Sequence, residues 1–534
     1  MQPVHDLKAV AILATQPSLT TKMNEAFNIV DLFFDAAKKN SRRTAIIYKN
    51  VKISFREFEK QVTDTAHYFV SKGIGKSDRV LIFVPMSIDL YRIVLALFKI
   101  GATAVFLDEW VSKKRMEECC KVAQCKAFVG IFKARILALF SNELRKIPIR
   151  LGIAWWPSHN SNNVFPVTSK EDTALITFTT GSTGTPKAAK RTHGFLHNQF
   201  KALKEKIEPE EDDITMAVLP IVLLINLATG TTSVIADFKG SNPHSLKPKK
   251  IMQQLKTYHV NSIIASPFFV KKISEYIIRN RISILYMKKI FTGGAPVFPI
   301  EAAVYHEAFP HAKVEVVYGS TEAEPISSIN IKNLIKEKNN FLEGLNVGKP
   351  DDSTKVKIIQ IIDDNIYIDS EEELSAIELP LKEIGEIIVS GDHILREYFN
   401  NEEALYRNKI FIRSKCWHRT GDSGYLDVNG TLFLTGRCST LIQKHDKIFY
   451  PFIYENYFQT ISGVEIGTVM LLKEKITAVI EMQEELKKDL VKSNIKNQGP
   501  QFENIIFLKK IPRDPRHNSK IDYQKLRLLI AEKF

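Results

Sequence analysis

Short apolar segments alternate with helical patterns through most of the first four hundred residues. One example is an apolar run over residues 79–86, a helical pattern over 90–99 and another apolar run over 103–107. Similar apolar runs return at residues 173–180, 262–266, 289–292 and 313–318. Strands separated by helices predict parallel sheets with crossover connections, which bind ligands at the carboxyl ends of their strands. We therefore expect an α/β fold.

The pattern changes near residue 355. An antiparallel, barrel-like section is predicted by short strands at residues 355–362, 385–389 and 431–435. The acidic stretch 363–378 predicts a solvated hairpin. After Arg437 the composition becomes Lys-rich, and we place a domain boundary there.

The composition is that of a globular chain. Hydrophobic residues make up 44% and charged residues 25%, which excludes disordered and collagen-like classes. Lys and Arg number 74 against 60 Asp and Glu, and the net charge of +14 is compatible with several kinds of partner: nucleic acid, an anionic membrane, an acidic carrier protein or a phosphorylated ligand. Five cysteines predict reduced cytosolic thiols, and the grouping of Cys119, Cys120 and Cys125 lacks the spacing of a zinc site.

Residues 216–236 form an uncharged stretch that approaches the length of a membrane helix. Pro220, Asn226 and Gly230 interrupt it, which predicts two short apolar runs broken by a turn and buried in a core. The N-terminal residues carry no basic patch ahead of an apolar run, so no signal peptide is evident. We expect a soluble, cytoplasmic protein.

The densest motif follows the apolar segment 174–178. It reads Thr179, Thr180, Gly181, Ser182, Thr183, Gly184, Thr185, Pro186 and Lys187. Glycines permit close backbone approach, hydroxyls and amides donate hydrogen bonds, and a lysine neutralises charge, as a polyphosphate-binding loop requires. Pro186 and Ala188 beside the lysine exclude a Walker loop. An ordinary turn is the alternative.

A second motif ends an alternating strand with Tyr318, Gly319, Ser320, Thr321 and Glu322. An aromatic ring at a strand end can stack on a base, and a carboxylate can bind the Mg²⁺ that accompanies nucleotide phosphates. The alternative is a strand-to-helix turn with Glu322 near a helix start. The turn of Gly294, Ala295 and Pro296 is a weak signal by itself.

Two further motifs lie toward the C-terminus. Asp422 follows Thr420-Gly421, and a carboxylate in such a turn can accept both hydroxyls of a ribose, with Arg437 assisting. The alternative is a plain hairpin that turns at residues 427–430. Lys520 lies in a basic tail, where a single lysine is usually solvated surface.

These motifs, in this order and at these spacings, resemble the adenylate-forming superfamily of acyl-CoA synthetases, luciferases and nonribosomal adenylation domains. The resemblance extends from residue 97 to Lys520. It implies a large N-terminal AMP-binding domain of residues 1–437, built of two parallel-type sheets with flanking helices and a β-barrel section at about 350–437. A small, mobile α+β C-terminal lid of residues 438–534 would follow.

The resemblance also implies roles for the motif residues. The substrates and cofactors would be ATP, Mg²⁺ and a carboxylic acid, without nucleic acid. Residues 179–187 would hold the β- and γ-phosphates, and Gly294, Ala295, Pro296, Tyr318 and Gly319 would surround the adenine. Thr321 would contact the α-phosphate and Glu322 would bind Mg²⁺. Asp422 and Arg437 would hold the ribose, and Lys520 would bridge the carboxylate and the α-phosphate.

Three features depart from the pattern of typical acyl-CoA synthetases. Ser439, Gln443 and Asp446 replace the acidic hinge residue and the Lys-x-x-Gly loop that lines the thiol tunnel, so Asp446 would obstruct phosphopantetheine. Apolar residues 221–225, after Pro220, replace the usual aromatic or His; they could line an acyl pocket or belong to plain core. The last motif reads Arg-His-Asn-Ser-Lys520 rather than the common Ser-Gly-Lys. This motif resembles the olefin β-lactone synthetases, as do the stretch 318–325 and the segment 230–235 followed by 248–251.

Members of that group adenylate a long-chain 3-hydroxy acid, whose own hydroxyl then closes a β-lactone. We expect this activity, with an acyl-CoA synthetase or a carrier-loading acyl-AMP ligase as the alternative. A basic binding protein with an inactive fold is a third reading, opposed by the joint presence of Lys187, Glu322, Asp422 and Lys520. Peripheral association with a membrane or with pathway enzymes stays open for basic segments such as 247–250, as does the oligomeric state.

Overall fold

The computed structural model describes residues 25–107, 112–153, 164–179, 186–238, 243–337, 342–482, 488–498, 502–514 and 520–533. Within these residues the strands are β1 (Thr44–Tyr48), β2 (Val51–Ser54), β3 (Arg79–Phe83), β4 (Thr103–Phe106), β5 (Ala127–Gly130), β6 (Ile149–Leu151), β7 (Thr173–Thr179), β8 (Lys187–Thr192), β9 (Ile214–Ala217), β10 (Thr232–Ile235), β11 (Ser262–Ala265), β12 (Lys289–Gly293), β13 (Lys313–Ser320), β14 (Ala323–Asn330), β15 (Leu345–Asn346), β16 (Lys349–Pro350), β17 (Lys355–Ile359), β18 (Gly385–Ser390), β19 (Lys409–Ile412), β20 (Lys415–Leu426), β21 (Leu432–Arg437), β22 (Ile442–Lys444), β23 (Lys447–Phe449), β24 (Val464–Leu472), β25 (Lys475–Met482) and β26 (Asn504–Leu508).

The helices of the same residues are α1 (Asp31–Lys39), α2 (Phe55–Ser71), α3 (Ile88–Lys99), α4 (Lys113–Ala123), α5 (Phe132–Leu139), α6 (Asn142–Arg145), α7 (His193–Ile207), α8 (Pro220–Thr229), α9 (Pro248–Thr257), α10 (Pro267–Arg279), α11 (Pro299–Ala308), α12 (Ile331–Leu334), α13 (Glu371–Ile377), α14 (Glu402–Asn408), α15 (Pro451–Gln459), α16 (Lys488–Gln498) and α17 (Tyr523–Lys533), with short 3-10 turns at Pro243–Ser245, Ile335–Glu337 and Cys438–Thr440. None of these described helices combines the length and the apolar character that crossing a membrane requires.

The predicted α/β fold is confirmed. One sheet has the order β6-β5-β3-β4-β7-β8, parallel except for β8. A second sheet has the order β16-β14-β13-β12-β11-β9-β10-β1-β2 and is parallel from β13 to β1. Strands such as β5 are buried along their whole length, as parallel sheets covered on both faces require.

The core between these two sheets is continuous. Buried side chains from both sheets and from helices α3 and α8 form one cluster. Helix α3 begins at a Ser87 cap, whose hydroxyl accepts the Leu90 N–H, and residues 90–98 are buried on all of its faces. Arg92, which pairs with Asp89 at 2.7 Å, is the charged residue among them, and the other side chains let the helix lie inside the molecule rather than on its surface.

The barrel-like section is also confirmed as antiparallel. Its order is β15-β21-β20-β18-β17, with β19 paired to β20. The smaller C-terminal unit contains the sheet β24-β25-β26 and the hairpin β22–β23. The first turn of α15 brings Phe452 against Phe298 of the larger unit, with ring centroids 5.4 Å apart. The boundary at Arg437 stays a prediction.

Two local predictions are wrong. Residues 216–236 are not two runs broken by a turn: strand β9, helix α8 and strand β10 form a parallel crossover, since the apolar middle segment is buried as a helix. The acidic stretch 363–378 is not a hairpin. It contains helix α13, which begins at a Ser370 cap that accepts the Glu373 N–H, with its acidic residues in the first turn where the helix dipole favours them.

Candidate active site

Tyr318, Asp422 and Arg437 converge from two sheets. Asp422 on β20 lies opposite Arg437 on β21 in the antiparallel register, and Arg437 Nη1 is 2.7 Å from Asp422 Oδ1. From the end of β13, the Tyr318 hydroxyl donates to Asp422 Oδ2 at 2.7 Å. Burial, followed by the Asp422 charge, raises the pKa of Tyr318 well above its usual value. Both carboxylate oxygens are therefore oriented by fixed donors.

The predicted turn of Gly294, Ala295 and Pro296 lies beside Tyr318. Parallel pairing places Gly293 opposite Val317, so both segments leave the sheet at the same edge. A Cβ at Gly293 would lie 2.5 Å from the Val317 carbonyl oxygen, and Gly294 has φ +85. Glycine is required at both positions, because a side chain would separate the strands or strain the turn.

Thr321 and Glu322 form a tight turn between the antiparallel strands β13 and β14, not the start of a helix. At Gly319, a Cβ would lie 2.8 Å from the Ala323 carbonyl oxygen, so the turn can close tightly only over glycine. The Thr321 carbonyl accepts from Arg191 Nη2 at 3.0 Å. Thr321 is thus attached to β8 as well as to its own hairpin.

Lys187 begins β8 and pairs with Thr179 at the end of β7. Its Nζ donates to Asn408 Oδ1 at 3.2 Å. Burial lowers the pKa of Lys187, and the negative charge of Glu322 opposes that shift. The side chain of Thr179 and the predicted loop residues Thr180, Gly181, Ser182, Thr183, Gly184 and Thr185 lie outside the described residues.

Residues 394–399, which we call the strap, connect the Lys187 strand to the Glu322 turn. Tyr398 pairs with Ala189 of β8, and its hydroxyl donates to Glu322 Oε1 at 3.2 Å. Leu395 N–H donates to the Glu322 carbonyl at 2.7 Å. The strap therefore holds the carboxylate of Glu322 and the strand of Lys187 in one arrangement.

No motif in the sequence points to Tyr398, Asn408 or Lys409. Lys409 is buried, its amine donates to the Leu395 carbonyl of the strap, and burial lowers its pKa to about 8. Tyr398 is 76 residues from Glu322, and Asn408 is 221 residues from Lys187. No local sequence pattern marks such pairs, because only the tertiary fold brings them together.

A buried ion pair supports the segment that carries Asp422. Arg419 donates to Glu386 Oε2 through Nε at 3.0 Å and Nη2 at 2.6 Å, with both side chains almost fully buried. Glu386 Oε1 accepts the Gly421 N–H at 3.3 Å. The pair thereby orients the backbone immediately before Asp422.

Lys520 is held by its own segment. Its N–H donates to Asp514 Oδ1 at 2.9 Å, and its carbonyl accepts the Asp514 N–H at 2.8 Å. These contacts are separate from the clusters around Asp422 and Glu322. Among the described residues, the structure thus groups Tyr318, Asp422 and Arg437 in one cluster and places Lys187 and Glu322 in another, and it holds Lys520 within the C-terminal unit.

Metal binding by the cysteine cluster is not supported. Cys119, Cys120 and Cys125 are buried in an apolar cluster, and burial raises the pKa of Cys120 and of Cys125 to about 12. Such thiols are poor metal ligands because the thiolate is the binding form. Within the described ranges, the acidic group with metal-compatible spacing is Glu210, Asp212 and Asp213, and Lys288 and Lys289 pair with it.

Comparison with known proteins identifies the family of the chain. Residues 33–399 match the AMP-binding enzyme family. The chain is 25% identical over 509 residues to an olefin β-lactone synthetase of Stenotrophomonas maltophilia, covering 89% of this chain and 91% of that protein. An olefin β-lactone synthetase of Xanthomonas campestris is 26% identical over 520 residues, covering 90% and 92%.

A solved structure shares the fold. O-succinylbenzoate coenzyme A synthetase from Bacillus subtilis, in complex with ATP and magnesium ion, superimposes with a TM-score of 0.77 at 19% identity, over 93% of this chain and 99% of that chain. The family match covers more than half of the sequence and includes Lys187 and Glu322. The chain therefore belongs to the AMP-binding enzyme family and is an ATP-dependent, adenylate-forming ligase.

Proposed function

We propose that this ligase adenylates a long-chain 2-alkyl-3-hydroxy carboxylic acid, whose hydroxyl then displaces AMP and closes a β-lactone. The observation that carries the proposal is the similarity to two olefin β-lactone synthetases along 89% and 90% of the chain. At this coverage the similarity reaches into the C-terminal unit, where the Arg-His-Asn-Ser-Lys520 motif also resembles this group.

The cluster of Asp422, Arg437 and Tyr318 suits a nucleoside. A carboxylate can accept two ribose hydroxyls, and Arg437 balances its charge at 2.7 Å. Tyr318 and the turn of residues 294–296 occupy the carboxyl ends of neighbouring parallel strands, where such sheets bind nucleotides. We assign the adenine to the space between them.

The cluster of Lys187 and Glu322 suits the phosphates. Residues 179–187 would donate to the β- and γ-phosphates, and Thr321 to the α-phosphate. A bound polyanion favours the charged form of Lys187, which burial disfavours. Glu322 is the candidate Mg²⁺ ligand, oriented by the Tyr398 hydroxyl. When bound, Mg²⁺ would offset the negative charge of the phosphates.

The proposed reaction has two steps. A carboxylate oxygen attacks the α-phosphorus, and the bond to pyrophosphate breaks. The 3-hydroxyl oxygen then attacks the acyl carbon, loses its proton, and AMP leaves. Both reactants of the first step are anions, so Lys187 and Lys520 would supply positive charge where negative charge develops. Lys520 would reach the α-phosphate by rotation of residues 438–534 about a hinge near Ser439.

An acyl-CoA synthetase or a carrier-loading acyl-AMP ligase is the second candidate. Asp446 lies in the turn of hairpin β22–β23 and is exposed, so it fills no space against other described residues in this arrangement. Asp446 therefore does not favour the first candidate over a thioester-forming enzyme.

One assay separates the two. The protein is incubated with ATP, Mg²⁺ and a 2-alkyl-3-hydroxy acid, with and without CoA, and products are identified by mass spectrometry. A CoA-independent product that lacks one water relative to the acid is the expected result. The matched acid without the 3-hydroxyl should support ATP–pyrophosphate exchange and give no such product. A thioester that requires CoA, without lactone, would favour the second candidate.

A further inference from the structure

The surface formed by α4, α5, α6 and β6 exposes large apolar side chains. On α5 and the residue after it, five such side chains are exposed within nine residues: Phe132 (73%), Ile136 (43%), Leu137 (43%), Leu139 (57%) and Phe140 (71%). Ala138 is the buried residue of this helix. Single exposed apolar residues are ordinary, whereas a contiguous group of this size marks an interaction surface.

The same surface is strongly basic. In residues 112–153, ten Lys and Arg face three Asp and Glu, a net charge of +7, which is half of the +14 of the whole chain. The exposed basic residues include two on α5 itself, Lys133 and Arg135, and flanking ones at Lys113, Lys114, Lys121, Arg145, Lys146 and Arg150. Apolar side chains surrounded by lysine and arginine are the pattern of helices that lie in the interface of an anionic bilayer.

The position of α5 relates this surface to the active site. Helix α5 begins two residues after Gly130, at the carboxyl end of β5. The carboxyl end of β7, where the segment preceding Lys187 begins, lies at the same edge of that sheet. Strands β3 and β4 separate β5 from β7, which corresponds to about 14 Å at the usual strand spacing.

We propose that α5, with the basic residues around it, docks this ligase onto an anionic lipid membrane surface. The apolar side chains insert among the acyl chains, and the basic side chains contact the lipid phosphates. Two observations favour a membrane over an acidic protein. The exposed apolar side chains are grouped on the short helix α5, and the basic charge is spread over α4, α6 and β6 around it. The inference does not depend on which acid is adenylated.

The test is co-sedimentation of the full-length protein with vesicles, without ATP or acid. Vesicles of phosphatidylcholine with 30% phosphatidylglycerol are compared with vesicles of phosphatidylcholine alone. We expect binding at least about tenfold stronger to the anionic vesicles and weakened by salt, since the attraction is screened. Equal binding to both compositions, or none to either, would overturn the proposal.

Variants locate the surface. Phe132→Ser with Phe140→Ser should reduce binding at least about fivefold, and Lys133→Glu with Arg135→Glu should remove the preference for anionic vesicles. All four side chains are exposed, so thermal unfolding should be unchanged. Leu285→Ser with Leu528→Ser, at 70% and 66% exposure elsewhere, is the matched control and should bind normally. Loss of self-association in Phe132→Ser with Phe140→Ser, together with unchanged vesicle binding, would instead assign the face to a second copy of the chain.

Discussion

The buried pair of Glu386 and Arg419 should dominate the stability of the barrel-like section. Their side chains are 4% and 6% exposed, and Arg419 also donates to the Asp364 carbonyl at 2.7 Å and to the Ile362 carbonyl. Glu386→Ala would remove both Arg419 contacts to a carboxylate and would leave its guanidinium buried beside backbone acceptors. The charge would then lack a compensating partner.

The expected loss is large. Breaking a buried ion pair by removal of one partner typically costs about 3–5 kcal/mol, because the remaining charge stays desolvated. The two carbonyl acceptors of Arg419 place the expectation at the lower end, about 3 kcal/mol. Glu371 and Lys415 form a comparable pair in the same section at 2.9 Å, with side chains 48% and 32% exposed. Exposed pairs contribute less than about 1 kcal/mol, so Glu371→Ala is the matched control.

Urea unfolding followed by circular dichroism measures the difference. Glu386→Ala should lower the transition midpoint strongly at an unchanged slope, and Glu371→Ala should hardly move it. Because Glu386 also accepts the Gly421 N–H, the apparent KM for ATP should rise in Glu386→Ala and be largely retained in Glu386→Gln. A loss below about 1 kcal/mol would refute the reasoning that this pair is desolvated.

Three further outcomes are expected. Lys520→Ala should lower ATP–pyrophosphate exchange by about 10²–10³-fold; unchanged exchange would remove this lysine from the proposed chemistry. Tyr318→Phe should raise the apparent KM for ATP several-fold, because Asp422 loses a donor at 2.7 Å, and equal kinetics would contradict that role. His193 accepts the Ile29 N–H through Nδ1 at 3.2 Å, and burial lowers its pKa from 6.5 to about 4. Between these two pH values the unfolded state binds more protons than the folded state. The free energy of unfolding should therefore fall as the pH drops from about 6.5 to 4, by up to ~1.4 kcal/mol per pH unit. His193→Gln should flatten this dependence on pH.

The chemistry of each motif could be predicted from the sequence, because it depends on residue types that are close together in the chain. Glycine at positions 293 and 319 permits close backbone approach, and those contacts are present in the structure, while Gly294 adopts φ +85. The antiparallel facing of Asp422 and Arg437 could be anticipated from the hairpin pattern. The alternative of a helix start at Glu322 could not be rejected from the sequence, because a tight turn between strands and a helix start share the same short polar pattern; the structure shows the tight turn.

The long-range partners could not be predicted. Tyr398 contacts Glu322, and Lys409 contacts the strap. Both contacts form because the fold places β8, β14 and β19 close together, although these strands are far apart in sequence. The free energy of such pairing depends on what each strand buries, and no local pattern records it.

Two apolar helices show which features the sequence can predict and which depend on the tertiary structure. Residues 222–225 and 136–139 are both short apolar segments, and each forms part of a helix. Val222, Leu223 and Ile225 are buried in the core shared by the two sheets. Of the two readings of this segment, an acyl pocket or plain core, their burial supports plain core. Ile136, Leu137 and Leu139 are exposed. The sequence by itself determined the α/β pattern and the motif chemistry, because periodicity and residue type act locally. Only the stacking of the two sheets decided which apolar helix is enclosed and which faces outward, because burial depends on what lies on the other side.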